Sequence, residues 1–258
     1  MLVTSNALLD DTEALAAEIE PLAVAAWPAR EIAPLDGWAL RFTTGSSHRG
    51  NSAVTLDYLG HDLATSIEAA EHEYRRRGLV PMFHLSLASR PQGLEAALLA
   101  RHYRRVSQTH LCIARTEELL ARLAPPENVE RCSLDDPRFR ALVVDGSRSA
   151  VDATERLEIL ARLTTPSFCA LALAGTDPVA CGVGVETSGW VSFYVMRSHA
   201  AARRQGHAKR VLAAIADWAR QRRVERLFLQ REDHNGPACA LYEAAGFVPR
   251  YPYKYYIA

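Results

Sequence analysis

The chain has 258 residues, more than one typical domain needs and enough for two. It carries 30 basic and 30 acidic side chains, so bulk charge does not favour binding to nucleic acid or to an anionic membrane. The longest apolar run, residues 168–174, is too short to span a bilayer, and residues 1–11 lack the pattern of a signal peptide. We therefore expect a soluble cytoplasmic protein without nucleic-acid or membrane partners.

The cysteines and histidines do not form a recognisable site in the sequence. The five cysteines are an odd number without a Cys-x-x-Cys pair, which predicts reduced and mostly buried thiols. The nine histidines show no spacing typical of zinc ligands. We therefore expect no metal.

The first half of the chain alternates between helical and extended patterns. Its opening helical pattern contains Pro21 and is expected to break there, and a polar turn is predicted at 43–50. The predicted elements, in order, are a helix at 10–27, strands at 38–42 and 52–56, a helix at 64–77, a strand at 80–87, a helix at 93–103 and a strand at 105–114.

The second half begins after residues 116–130, where Pro125-Pro126 favours a linker. The predicted elements are helices at 137–147 and 153–163, strands at 167–174, 179–186 and 190–198, a helix from 208 onwards, a strand at 226–231, a helix at 237–245 and a strand at 251–257. Helices followed by strands, and then by alternating strands and helices, predict an α+β fold with a mixed sheet.

The two halves match each other without gaps at an offset of 144 residues. Phe83 then falls on Leu227 and Tyr103 on Phe247, and helix 64–77 overlies 208–221. Sequence identity is low, so the prediction of a duplicated architecture depends on the matched order and length of the elements.

One short run, Arg203-Arg204-Gln205-Gly206-His207-Ala208, stands where a strand leads into a helix. The start of a helix offers unpaired backbone N–H groups and the positive end of the helix dipole. A glycine there allows close approach of an anion, so the run is suited to bind a pyrophosphate. A basic, solvated turn before a surface helix is the alternative interpretation. In the first half Asp62 stands opposite Gly206, which puts a carboxylate where the anion would bind.

Three motifs in the second half of the chain resemble, in kind and order, those of the GNAT superfamily of acyl-CoA-dependent N-acetyltransferases. They are Arg-x-x-Gly-x-Ala at 203–208, a strand leading to Asn235, and Leu-Tyr-Glu-x-x-Gly-Phe at 241–247. The resemblance covers residues 130–258 and implies a GNAT fold, a mixed central sheet flanked by helices. With the repeat, it implies a degenerate N-terminal copy at 1–118, a linker at 119–129 and a catalytic domain at 130–258.

The resemblance also implies where acetyl-CoA binds, namely between strands 190–198 and 226–231. Backbone at the start of the following helix would hold the pyrophosphate, with two arginines adding charge. Main chain of the central strand, and one asparagine, would contact the pantetheine arm. The implied binding residues are Met196, Ser198, Arg203, Arg204, Gln205, Gly206, His207, Ala208 and Asn235. Ala208 departs from the family pattern, in which a second glycine is more usual.

Tyr242 is implied as the proton donor to the departing thiolate, since a thiol titrates near pKa ~8.5 and a tyrosine near ~10. The alternative is an aromatic side chain that only packs on the sheet. Glu186, at a strand end, is a candidate general base, or else a solvated carboxylate. The implied reaction is direct attack of a small-molecule primary amine on acetyl-CoA. The alternatives are a protein or peptide amine as acceptor, or a sensor that binds an acyl-CoA or metabolite without catalysis.

Overall fold

A computed structural model describes residues 11–45 and 47–258. The predicted helix start at residue 10, the signal-peptide prediction for residues 1–10 and Ser46 of the predicted turn lie outside this part of the chain. Within it, no helix is both long and apolar enough to cross a membrane. Nor do three or more His, Cys, Asp or Glu side chains in these ranges form a group able to hold a metal ion.

The chain divides into two compact units, each made of segments that are distant in sequence. The first contains the described residues up to Val24, then Ala29–His110 and Arg250–Ala258. The second contains Ala25–Pro28 and Leu111–Pro249. Residues 250–258 therefore belong to the first unit, although the predicted domain bounds group them with 130–249.

The first unit is a sheet with helices α1, α2 and α3. Its elements are α1 (Thr12–Ala25, of which the last residue belongs to the second unit), β1 (Glu31–Leu35), β2 (Trp38–Phe42), β3 (Ala53–Val54), α2 (Leu63–Arg75), β4 (Met82–Leu85), α3 (Leu94–Ala100), the first part of β5 (Arg104–Arg115) and most of β11 (Val248–Ile257). The strand order is β1-β2-β3-β4-β11-β5. Strand β11 is antiparallel to β4, with Lys254 opposite Leu85, and the core includes the rings of Trp38 and Phe83.

The second unit has a longer mixed sheet. Its elements are the end of β5, α4 (Thr116–Arg122), β6 (Val129–Cys132), α5 (Pro137–Asp145), α6 (Ala150–Ala161), β7 (Ser167–Ala174), β8 (Asp177–Thr187), β9 (Trp190–Ser198), a 3₁₀ turn (Ala200–Ala202), α7 (His207–Gln221), β10 (Arg226–Glu232) and α8 (Gly236–Ala244). The strand order is β5-β10-β9-β8-β7-β6. Strand β10 is parallel to β9, whereas β8 is antiparallel to both β7 and β9.

Helices cover both faces of this sheet. On one face α4, α7 and α8 form a core that includes Leu119, Ile215 and Phe247. On the other, α5 and α6 pack Phe139 and Ile159 onto the sheet. The apolar stripe of α7 lies in the first core, as its helical periodicity predicts. The predicted α+β fold with a mixed sheet is confirmed.

The offset of 144 residues found in the sequence also separates the starts of equivalent elements. It relates α2 at Leu63 to α7 at His207, β4 at Met82 to β10 at Arg226, and β5 at Arg104 to β11 at Val248. Each half of the sequence therefore contains the same succession of helix, strand, helix and strand, as expected of tandem copies.

Three predictions of local structure were wrong in detail. The predicted linker begins with helix α4, because Leu119 is buried in the core and the Thr116 hydroxyl donates to the carbonyl of Val224 at 2.7 Å. Helix α1 continues through Pro21, because Leu15, Ile19 and Ala23 are buried along its length. Strands β1 and β6 were missed, because both are short edge strands with polar or proline residues.

Candidate active site

The central strands β9 and β10 separate along their length. They are paired from Trp190 opposite Arg226 to Ser192 opposite Phe228, and within the described chain the pairing ends there. Both strands nevertheless continue, to Ser198 and Glu232. The second half of β9 therefore presents main-chain N–H and C=O groups to the space between the strands, where a ligand can satisfy them. Ser198 lies in this unpaired second half of β9, the open half of the strand.

A β-bulge changes the direction of the open half of β9. The pairing of β8 with β9 shifts between Cys181 and Val183, so that Val195 and Met196 together oppose Gly182. Val195 has a positive φ of 49°. A Cβ at Gly182 would lie 2.4 Å from the Met196 sulfur, so this glycine provides the room that the Met196 side chain fills. The open half thus contains both strand residues, 196 and 198, that the family resemblance singles out.

The start of helix α7 is exposed. Gly206 is its N-cap, with a φ of +85° in the left-handed region, and the space where its Cβ would lie is open. Arg203, Arg204 and Gln205 are also exposed, and Arg204 has a φ of +60°. The 15-residue helix leaves its first N–H groups without intrahelical partners and directs its dipole at them. The predicted cradle residues, including Ala208 in the first turn, are thus brought together in a geometry suited to a phosphate.

His207 differs from its neighbours because its side chain is buried. Neither ring nitrogen has a hydrogen-bond partner among the described residues. Burial, reinforced by the charge of Arg210, lowers the pKa of the imidazole. The neutral imidazole is therefore favoured, and the donor that His207 offers at the helix start is its backbone N–H.

The equivalent helix in the first unit has its N-terminus capped by a carboxylate. Asp62 is the N-cap of α2, and its Oδ2 accepts a hydrogen bond from the Thr65 backbone N–H at 2.9 Å. Hydrogen bonds from Thr65 lower the pKa of this carboxyl. A negative charge from the chain itself thus occupies the place that is open at Gly206.

Helix α8 carries two further predicted residues. Asn235 is the N-cap, as predicted, and its Oδ1 accepts from the Ala238 N–H at 3.2 Å. The Tyr242 ring packs edge-on against Phe247, with centroids 6.0 Å apart, and Phe247 packs likewise against Phe193 of β9. Burial raises the pKa of Tyr242 to about 12, against a lowering effect of the Arg197 charge. The phenol is therefore protonated at neutral pH.

Glu186 lies apart from these residues. It is opposite Val191, where β9 and β10 are still paired, and its carboxylate forms an ion pair with Arg222. Met196 is five positions further along β9, in the open half, and at ~3.3 Å per residue this is roughly 16 Å away. The structure thus does not bring Glu186 together with the other predicted residues.

Two features of the open half could not be found by sequence reasoning. The Trp27 ring, from Ala25–Pro28, stacks on Tyr194 with centroids 5.1 Å apart. Arg197, which follows Met196 and precedes Ser198 in β9, is partly buried. No local pattern links residue 27 to residue 194, and the bulge breaks the alternation that would have assigned Arg197 to a face.

A mixed sheet with separating central strands beside a glycine-capped helix start defines the GNAT class of N-acetyltransferases. The chain belongs to the family described as "Probable histone acetyltransferase Rv0428c C-terminal", which matches residues 16–256.

Similar proteins agree with this assignment. The chain is 29% identical over 254 residues to the "Uncharacterized N-acetyltransferase YobR" of Bacillus subtilis (strain 168), covering 93% of this chain and 97% of that protein. A GCN5-related N-acetyltransferase from Kribbella flavida has a TM-score of 0.67 at 17% identity, covering 94% and 95%. A tandem GNAT protein from the clavulanic acid biosynthesis pathway has a TM-score of 0.63 at 14% identity, covering 99% and 95%. The fold is the GNAT fold, and this chain is an N-acetyltransferase.

Proposed function

We propose that the protein transfers the acetyl group of acetyl-CoA to a primary amine of a small molecule. The observation that carries this proposal is the separation of β9 from β10 beside the exposed, glycine-capped start of α7. A thioester lying between the strands would have its carbonyl beside free main-chain groups and its phosphates at the helix start.

The donor would be held mainly by main chain. Backbone N–H groups of residues 205–208 would bind the pyrophosphate, and Arg203 and Arg204 would add positive charge. Main-chain groups of Met196 and Ser198 would pair with the pantetheine arm, and Asn235 would hydrogen-bond it. An N–H of the open strand would also stabilise the negative charge that develops on the carbonyl oxygen.

The chemistry needs a neutral amine and a proton for the sulfur. As the amine nitrogen bonds to the carbonyl carbon, the C–S bond breaks and the thiolate leaves. Tyr242 holds its proton at neutral pH, because burial raises its pKa to about 12, and it can donate this proton to the sulfur. The surplus proton on the amine passes to solvent, and a proton from solvent then restores the phenol of Tyr242.

A second candidate acceptor is a lysine side chain of a protein. It is favoured by the description of the matched family, which names a probable histone acetyltransferase. Both candidates use the same donor site and differ only in the molecule that supplies the amine.

The first experiment measures release of the CoA thiol by the full chain with acetyl-CoA. A panel of amines, polyamines, amino acids and aminoglycosides is compared with basic peptides, including histone tails. We expect saturable release with a small amine. Release with peptides alone would support the second candidate, and acetyl-CoA binding without any transfer would contradict both.

The second experiment tests the cradle with two matched variants. Gly206→Asp copies the residue that stands at the equivalent position of the first unit, whereas Gly206→Asn has the same shape without the charge. We expect the aspartate to weaken acetyl-CoA binding at least about tenfold more than the asparagine, because it places a carboxylate against the pyrophosphate. Asp62→Asn serves as the control and leaves the affinity unchanged. Equal affinities of the two Gly206 variants would contradict a phosphate site there.

A further inference from the structure

Arg197 is held in one direction within the open half of β9. Its side chain lies against Gly146, the residue that follows α5. A Cβ at Gly146 would lie 2.4 Å from the Arg197 Cδ and 3.0 Å from its Nε, so only glycine leaves room for this side chain. The guanidinium is thus packed in place between α5 and the strand.

The guanidinium lacks an acidic partner. Its Nη1 donates to the Met196 carbonyl at 3.1 Å, and its Nε is buried without a hydrogen bond. Among the described residues no carboxylate forms an ion pair with Arg197. The nearby Asp152 is instead held by Arg156, with Nε–Oδ2 at 3.1 Å and Nη2–Oδ1 at 3.0 Å, and Arg148 approaches it to 3.7 Å.

The charge of Arg197 is therefore not neutralised by an ion pair. The nearby carboxylate, that of Asp152, is already bound by Arg156. Burial lowers the pKa of the Arg197 guanidinium, and the charge of Arg156 acts in the same direction. A buried charge without a partner is costly, and a guanidinium fits the two oxygens of a carboxylate with parallel hydrogen bonds.

We propose that Arg197 binds a carboxylate group carried by the substrate in the cleft, which makes it a specificity residue. The inference rests on the proposed acyl transfer and narrows its substrate class. The carboxylate belongs to the acceptor, as in an amino acid, or to the acyl chain, as in a dicarboxylic acyl-CoA. Both present the same chemistry to the guanidinium.

Two sets of paired substrates distinguish the sources. The first set compares amino acids with the amines that lack their carboxylate, all with acetyl-CoA. The second compares succinyl-CoA with butyryl-CoA, using one uncharged acceptor. We expect kcat/KM to favour the carboxylate in one set by at least about tenfold, and Arg197→Gln to remove this preference while leaving the rate with the uncharged partner within about threefold.

Controls separate recognition from folding. Arg220→Gln removes an exposed arginine of α7 and should keep the preference, and Arg197→Lys should retain part of it. The melting temperature of each variant is measured with each acyl-CoA alone, and with each acceptor in the presence of CoA, so that binding is followed without turnover. The wild type and Arg220→Gln should be stabilised more by the carboxylate-bearing ligand, Arg197→Lys to a smaller extent, and Arg197→Gln equally by both members of a pair.

Two failures have different meanings. If the wild type transfers acyl groups without preferring a carboxylate, or if Arg197→Gln keeps the preference, the assignment of Arg197 is overturned. If no acceptor is acylated but a carboxylate stabilises the wild type and not Arg197→Gln, the proposed reaction fails while the carboxylate site stands. Equal loss of rate with both members of a pair would show that Arg197 acts in folding or donor binding, which contradicts the proposal.

Discussion

The carboxyl group of Glu20 and the imidazole of His84 face each other inside the first unit, with Oε2 and Nε2 3.6 Å apart. Burial raises the pKa of Glu20 to about 7, opposed by Tyr251 and Arg49. Burial also lowers the pKa of His84 to about 3, in the same direction as the charge of Arg41. Between pH 3 and 7 both groups are therefore uncharged, and the pair is not an ion pair.

The two groups make the stability of the folded protein depend on pH in opposite directions. The raised pKa of Glu20 contributes stability that is complete below pH 4.5 and is lost as the pH rises through 7. The depressed pKa of His84 contributes stability that is complete above pH 6.5 and is lost as the pH falls through 3. Above pH 7 the folded protein therefore carries a buried carboxylate.

The first prediction concerns Glu20→Gln, which removes that buried charge. As the pH rises from 5 to 8, we expect the free energy of unfolding of the variant to increase relative to that of the wild type by on the order of 3 kcal/mol, because the pKa of Glu20 is raised. Urea unfolding at both pH values measures the gain. Glu13→Gln, on the exposed first turn of the same helix, should show no such difference. A constant difference between Glu20→Gln and the wild type would contradict a raised pKa.

The second prediction concerns Tyr242→Phe, which removes the proposed proton donor and keeps the ring packed on Phe247. We expect kcat to fall by roughly 10²-fold while the dissociation constant of CoA changes by less than about twofold. Stopped-flow kinetics and calorimetry measure the two quantities. Tyr58→Phe, in the first unit, is the control and should leave both unchanged. Loss of CoA binding in Tyr242→Phe would instead assign the residue to packing.

The third prediction concerns the pH profile of the wild type. Since burial raises the pKa of Tyr242 to about 12, this phenol stays protonated throughout the ordinary assay range. The rate should therefore rise with pH as the acceptor amine loses its proton, and should not fall again below about pH 10. A descending limb near pH 8, abolished in Tyr242→Phe, would show that the phenol ionises there.

The fourth prediction concerns the contact of α7 with the sheet. A Cβ at Gly184 would lie 2.4 Å from Cγ2 of Ile215, so Gly184→Ala should destabilise the protein by about 1–3 kcal/mol through overpacking. Gly236→Ala adds the same methyl group at a position where nothing lies within 4 Å, and it should be neutral or slightly stabilising. Denaturant unfolding compares them, and equal effects would count against close packing at Gly184.

Local signals were sufficient to predict much of the second unit. The periodicity of α7 and the cap at Asn235 are properties of short segments, as is the glycine-capped helix start at Gly206, and each was visible in the sequence. The splitting of β9 from β10 is different, because it was expected from the family resemblance and no residue pattern in either strand encodes it.

Contacts between distant segments could not be predicted. Arg197 is positioned by Gly146, and the charge around it is set by the buried Asp152 on another helix, so its environment depends on the fold. The burial of Glu20 likewise depends on packing from β4, where His84 lies. A single sequence shows such residues only as ordinary charged side chains.

The pairing of β4 with residues 254–257 has a consequence for how the protein is made. A nascent chain leaves the ribosome from its N-terminus, and domains generally fold in that order. Here β4 is paired with β3 on one edge but lacks its partner on the other edge until residues 250–258 have been synthesised. The second unit can therefore complete its fold first, whereas one edge of β4 in the first unit stays unpaired until the end of the chain has been made.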